Sequence, residues 1–166
     1  MSNLKYEFRR LNIIGVTSVA ISLVFINFIV WCSVDYPIYT LHFVSSRVPV
    51  LPLWLYSLFD FLSFALFGIS LGAVLSEKCQ SFEVYKYRGG FYFIIGITLA
   101  YLYHAFFFSC HLFFISFLTV ILQCFLFGIA AVNFFNVSKI SVLSLCLGAL
   151  WSFYLLFFSV FCFLFM

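Results

Sequence analysis

The sequence predicts an all-α integral membrane protein, a single bundle of five transmembrane helices. Of its 166 residues, only 8% are charged, 66% are hydrophobic and 24% are aromatic. A soluble domain carries about a quarter charged residues, so a surface this poor in charge belongs in lipid. Mean hydropathy is +1.23, which points the same way. The apolar runs are each long enough for the roughly 20 residues that cross a hydrocarbon core. They lack the polar/apolar alternation of membrane-barrel strands, and a helix satisfies its own backbone in lipid.

The spans follow in order. Residues 1–10 are polar and basic, and Leu11 to Val34 carries no charge. The run is too long for a signal-peptide core and no small-residue cleavage site follows it, so it reads as an uncleaved first span, 11–34. Residues 35–50 form the longer loop on their side, with Pro37, His42, Arg47 and Pro49. Such loops serve as pocket caps or as plain connectors. Span 2 covers about 51–76, opening at Pro52 and Trp54. A charged loop, 77–90, follows. The stretch from Gly89 to Ser138 then holds no Asp, Glu, Lys or Arg. It exceeds one crossing and must fold back, with Ser109-Cys110-His111 as the best turn. That gives span 3 at 91–109 and span 4 at 112–134. Asn133 to Lys139 is a short polar loop, and span 5 covers 141–165.

Charge placement orients the bundle. With five spans, Lys5, Arg9, Arg10, Lys78, Lys86, Arg88 and Lys139 share the N-terminal side, and Arg47 stands alone on the other. The positive-inside rule then predicts a cytoplasmic N-terminus and a C-terminus on the opposite side. These basic residues read as topology signals beside apolar runs, so nucleic acid is not an expected partner. The six cysteines form no Cys-x-x-Cys pair, and their spacing to histidine fits no zinc site. Cys124, Cys146 and Cys162 fall in apolar runs, where cysteine behaves as a small hydrophobe.

Small residues recur at helical spacing. Gly68 and Gly72 lie four apart in span 2, and Ser144, Gly148 and Ser152 step by four in span 5. Such stripes let backbones approach closely in lipid. They predict close helix neighbours for spans 2 and 5, with a homodimer contact as the competing use.

Asp60 is the sharpest chemical feature. It is a carboxylate well inside an apolar run, and a charge at a helix centre costs about 2.5–3.5 kcal/mol on insertion scales. Phe64 and Phe67 follow it at four and seven residues, on the same helical face. Two readings fit: a polar group in an aromatic-lined pocket, or a carboxylate that snorkels or pairs within the bundle. His104 and His111 are seven apart and would face one way on a straight helix, as metal or haem ligands do. The turn expected at 109–111 breaks that helix, which leaves them as polar residues near an interface. Gln123 in span 4 reads as an interhelical hydrogen-bonding group. Trp54, Tyr56, Tyr101, Tyr103 and Trp151 are interface anchors or pocket walls. No phosphate loop, nucleophile triad or metalloprotease signature is present. No metal site, catalytic residue or cofactor is assigned.

Five spans in about 160 residues, a longer first loop and a Pro-x-Trp opening of span 2 resemble the TspO/MBR family, the translocator proteins or tryptophan-rich sensory proteins, also called peripheral benzodiazepine receptors. Pro52, Trp54, Phe67-Gly68 and Ser70 sit at the family's spacings, and Phe64 takes the place of its Tyr. Phe107-Phe108-Ser109 resembles the Phe-Phe-Gly that ends the family's span 3. Val137-Ser138-Lys139 corresponds to its last loop, and Trp151 follows fourteen residues after Val137, where the family has Trp. The similarity runs from about Tyr39 onward, and residues 96–159 align without a gap. The chain departs from the pattern at Asp60 (family Trp), Ala100 (Asn), Tyr103 (Trp), Thr119 (acidic), Leu147-Gly148 (Pro-Tyr) and Phe158-Ser159 (Leu-Asn).

The resemblance implies a five-helix bundle whose pocket opens toward the first loop. It implies a tetrapyrrole such as porphyrin, a sterol or a similar flat hydrophobic ligand, and a sensor, regulator or transporter, often dimeric. By position, Trp54, Asp60, Phe64, Phe107, Trp151 and Phe158 would line the pocket, with Asp60 accepting a hydrogen bond from a pyrrole N–H or an amine. Two other functions fit the chain: a small accessory subunit of a membrane complex, and a membrane enzyme using His104, His111 and Asp60.

Overall fold

The computed structural model describes residues 12–34, 44, 51–77 and 82–165. Most of the first loop lies outside them, as do Lys5, Arg9, Arg10, Arg47 and Lys78, which carry much of the orientation argument. Five helices are long and apolar enough to cross a membrane, and no strand occurs among the described residues. They are α1 (Ile13–Ser33), α2 (Leu53–Ser76), α3 (Glu83–His104), α4 (Phe113–Phe135) and α5 (Lys139–Phe165).

Their ends follow from local chemistry. The Asn12 side chain caps α1, accepting the Gly15 N–H at 3.2 Å. Pro52 precedes α2 in an extended conformation, and its carbonyl accepts the N–H groups of Leu55 and Tyr56, both at 2.9 Å. Proline suits this edge because its missing N–H would have had no partner in a first turn.

The third helix starts eight residues earlier than the span expected at 91–109. The segment taken as a charged loop is helical from Glu83 and continues through Lys86 and Arg88. Glu83 lies in the first turn, where a carboxylate complements the helix dipole. The Lys86 ammonium donates to the Glu77 carbonyl at the end of α2. Hydropathy marks where lipid begins, whereas the helix continues past that boundary.

At its other end α3 widens into a π-helical turn, Ala105–Ser109, with the Cys110 N–H bonded to the Ala105 carbonyl at 3.0 Å. His111 then adopts a φ of 55°, which reverses the chain where the turn was expected. Helix α5 begins two residues before the expected 141, with the Ser138 side chain accepting from the Ser141 N–H at 3.4 Å.

Helix α1 packs on α2, α2 on α5, α5 on α4 and α4 on α3, and α3 returns to touch α1 and α2. The Tyr101 hydroxyl closes this ring by donating to the Leu23 carbonyl at 3.1 Å. The glycines of α2 serve this order. A Cβ on Gly68 would collide with the backbone of Ala20, and one on Gly72 would come within 2.7 Å of Val16 Cα. A Cβ on Gly148 would meet the Phe67 ring at 2.7 Å and the Ser63 carbonyl at 3.2 Å. Both small-residue stripes therefore face neighbours inside the bundle.

Two hydrophobic clusters fill the interior. One holds Tyr56, Tyr103, Phe107, Phe108 and Phe158, together with Val44 of the first loop. The other holds Phe64, Phe67, Phe93, Phe127 and Phe134. Asp60, one turn from both Tyr56 and Phe64, lies between them. Gln123 donates from α4 to the Ser152 hydroxyl on α5 at 2.9 Å, as expected of an interhelical group.

Gly68→Ala must push two backbones apart, and overpacking of this kind costs about 1–3 kcal/mol. Gly90→Ala meets nothing within 4 Å and gains helix propensity of up to about 1 kcal/mol. Unfolding in graded dodecyl sulfate, followed by circular dichroism, should lower the midpoint for the first and leave or raise it for the second.

Candidate functional site

The Asp60 side chain is fully buried, not snorkelling. It has no water to hydrogen-bond, so the protein must supply donors, and it supplies them from three other helices. Oδ2 accepts from Asn27 Nδ2 at 2.9 Å and Trp31 Nε1 at 2.8 Å, both on α1. His104 Nε2 on α3 lies 3.1 Å from the same oxygen. Oδ1 accepts from Trp151 Nε1 on α5 at 2.9 Å. Asn27 and Trp31 are four residues apart, so both reach the carboxylate from one face of α1. Polar side-chain contacts within membranes average about 0.6 kcal/mol. Four of them are comparable to the insertion cost of the aspartate, which is why it can remain at this depth.

The protonation of the pair follows from geometry. His104 Nδ1 lies 2.9 Å from the Ala100 carbonyl, which can only accept, so Nδ1 carries a proton. The contact between Nε2 and Asp60 Oδ2 needs one more proton between them. Whichever atom holds it, the two side chains share two protons and have no net charge. A neutral pair is what a low-dielectric interior tolerates.

Rings enclose the cluster. Trp31 meets Tyr56, His104 and Phe108 at centroid distances of 6.0, 5.9 and 5.7 Å. Phe64 stacks on Tyr101 at 4.9 Å. Trp151 stacks with Phe59 at 5.7 Å and with Tyr154 at 4.7 Å, and meets Tyr56 edge-on at 5.0 Å. Beside this stack, a groove of about 560 Å³ opens on the outer face between α2 and α5. Leu62, Leu66, Leu147 and Leu150 line its length, and Phe59, Trp151 and Tyr154 wall one end.

The structure brings Asp60 and Trp151 into direct contact, and Trp151 alone of the six expected pocket residues lines this groove. Phe107 and Phe158 are buried together with ring centroids 5.1 Å apart, and Phe64 belongs to the other cluster. Trp54 is 67% exposed in the first turn of α2, the position of an interface anchor. His104 and His111 do not converge: His104 is buried on Asp60, whereas His111 is exposed beyond the reversal of the chain. Among the described residues, no three His, Cys, Asp or Glu side chains gather as metal ligands.

Asn27 and Trp31 were missed as site residues. Their signal was available: a carboxamide and an indole N–H one turn apart in an uncharged span. His104 was read as a metal or haem ligand, a polar interface residue or an enzyme group alongside Asp60, and not as the structural partner of Asp60, because sequence spacing does not show which helix faces a histidine's second nitrogen. Comparisons with protein-family models, curated proteins and solved structures return no match.

Removing one partner of a buried ionic pair costs about 3–5 kcal/mol. His104→Leu and Asp60→Leu should each destabilise the bundle on this scale. The double variant should cost clearly less than the sum, because neither leaves the other's charge behind. Unfolding midpoints in dodecyl sulfate provide the cycle, and strict additivity would show that the two groups do not interact.

Proposed function

We propose that this chain is an integral membrane ligand-binding protein of the TspO/MBR type. It takes a flat hydrophobic molecule, a porphyrin, a sterol or a similar ring system, and acts as a sensor, regulator or transporter. The observation that carries this reading is the groove between α2 and α5, with the Phe59–Trp151–Tyr154 stack at one end. Its size suits a small ligand, since such sites span about 300–1,000 Å³. Its outer face is where lipid would lie: Leu62, Leu147 and Leu150 are about half exposed or more. A lipophilic molecule already dissolved in the bilayer would enter sideways.

Aromatic faces favour flat rings by offset stacking, worth about 0.5–1.5 kcal/mol beyond burial. In the free protein Asp60 holds the Trp151 indole in the groove wall. Of the six residues that the resemblance assigns to the pocket, Trp151 lines the groove, and Asp60 lies buried behind it. The small-residue stripes of α2 and α5, which could otherwise hold a second chain, pack inside the bundle.

Titration of purified protein in nanodiscs with protoporphyrin IX, and separately with the fluorescent sterol dehydroergosterol, should give saturable quenching or energy transfer for at least one. Leu147→Phe combined with Leu150→Phe narrows the groove and should weaken that binding about tenfold, equivalent to about 1.4 kcal/mol. A signal that rises linearly without saturation, and equally in the narrowed variant, would mean partition into lipid and no site.

A further inference from the structure

The groove is separated from the Asp60 carboxylate by a single side chain. Trp151 lines the groove on one side and donates its only N–H to Asp60 Oδ1 on the other. The two carboxylate oxygens are unequally engaged. Oδ2 meets three nitrogens, those of Asn27, Trp31 and His104, whereas Oδ1 meets Trp151 alone among the described residues. An ionised carboxylate oxygen has room for about two donors. The open capacity therefore lies on the side facing the groove. In front of it stand the aromatic faces of Phe59, Trp151 and Tyr154, and ring faces attract cations. A carboxylate behind an aromatic wall, reached from lipid, is the chemistry of a site for a lipophilic ammonium.

We infer that the groove's ligand class is a lipophilic amine whose N–H takes the place of the Trp151 N–H on Asp60 Oδ1, with one proton leaving the Asp60–His104 pair as it binds. This rests on the reading that the α2/α5 groove binds flat hydrophobic molecules.

The proton follows from charge balance. The free pair holds two protons and is neutral. An ammonium added to it would leave one uncompensated positive charge in the bundle, facing the imidazolium. Loss of the second proton to bulk water leaves neutral His104, still donating through Nδ1 to Ala100 but no longer through Nε2, and ionised Asp60 held by the ammonium on Oδ1 and by Asn27 and Trp31 on Oδ2. No covalent bond is made or broken; one cation enters and one proton leaves. The indole turns away from Oδ1 as the amine arrives, and its ring remains as a stacking wall.

Among the described residues, no other titratable group packed around the pair supplies that proton. Helix α1 presents Asn27 and Trp31, neither of which titrates. Around the pair stand Tyr56 on α2, Tyr101 and Tyr103 on α3, Cys124 on α4, and Tyr154 and Cys162 on α5. Phenols and thiols are neutral between about pH 5.5 and 7.5.

Calorimetric titration of the full chain in nanodiscs tests this, using imipramine, a tricyclic tertiary amine, in buffers of different ionisation enthalpy. Iminodibenzyl, the same ring system without the aminopropyl chain, is the neutral control. About one proton should be released per imipramine bound and none with iminodibenzyl. Imipramine affinity should rise about tenfold per pH unit across this range, as one-proton linkage requires. Asp60→Asn keeps the side-chain shape but has no carboxylate to pair with the ammonium, so imipramine should bind more weakly and release no proton. Trp151→Phe keeps the ring but frees Oδ1, so it should bind more tightly.

Imipramine binding with no proton release, or a Trp151→Phe variant that binds more weakly, would overturn the proposal. Iminodibenzyl binding alongside either result would leave the groove reading standing. Binding of neither compound would remove both. The wild-type proton count needs no variant, so a substitution that fails to fold does not blunt the test.

Discussion

A carboxylate cannot stay in the middle of a lipid-embedded bundle without donors, and Asp60 obtains them from α1, α3 and α5 at once. This requirement ties four of the five helices to one point. It sets the face of α1 that turns inward, since Asn27 and Trp31 must both reach Oδ2. It sets the depth of His104 and the orientation of Trp151. The two aromatic clusters on either side are large but non-directional, and apolar packing in lipid gains little from excluding water. The Asp60 hub supplies the direction that these clusters lack, and close packing at Gly68, Gly72 and Gly148 allows the helices to approach it.

The hub also links the interior to the bilayer. Trp151 is the one side chain that belongs to both the polar cluster and the groove wall. Under the proposed ligand-binding reading, a lipophilic molecule in the groove would meet the Asp60–His104 pair at this indole, and either sensing or transport would be built on that contact.

Much of the fold was legible because membrane spans are written in composition. Runs of twenty apolar residues admit one secondary structure, and the fold-back at Ser109-Cys110-His111 was forced by length. The boundary at Glu83 was not, because hydropathy records the edge of lipid while helix formation ignores it. Asp60 was visible as an anomaly, and Trp151 as a position shared with a family pattern. The role of His104 was hidden because it depends on the ring order of the helices, which places α3 beside α1 and α2. Asn27 and Trp31 were hidden because a polar residue in a span acquires meaning only when its partner is known. The burial of Phe64, Phe107 and Phe158 in packed clusters was equally beyond sequence reading, since phenylalanine occurs 27 times in the chain.

The three tryptophans offer the most direct measurement. Two indole N–H groups, those of Trp31 and Trp151, lie on a buried carboxylate, and Trp54 is exposed. Indole-selective ¹⁵N labelling, read by proton–nitrogen correlation spectra in nanodiscs, separates them. Two resonances should lie downfield and exchange slowly with water, and both should move upfield in Asp60→Leu while the third stays in place. Three fast-exchanging resonances, or a pair that does not respond to the loss of Asp60, would contradict the carboxylate hub.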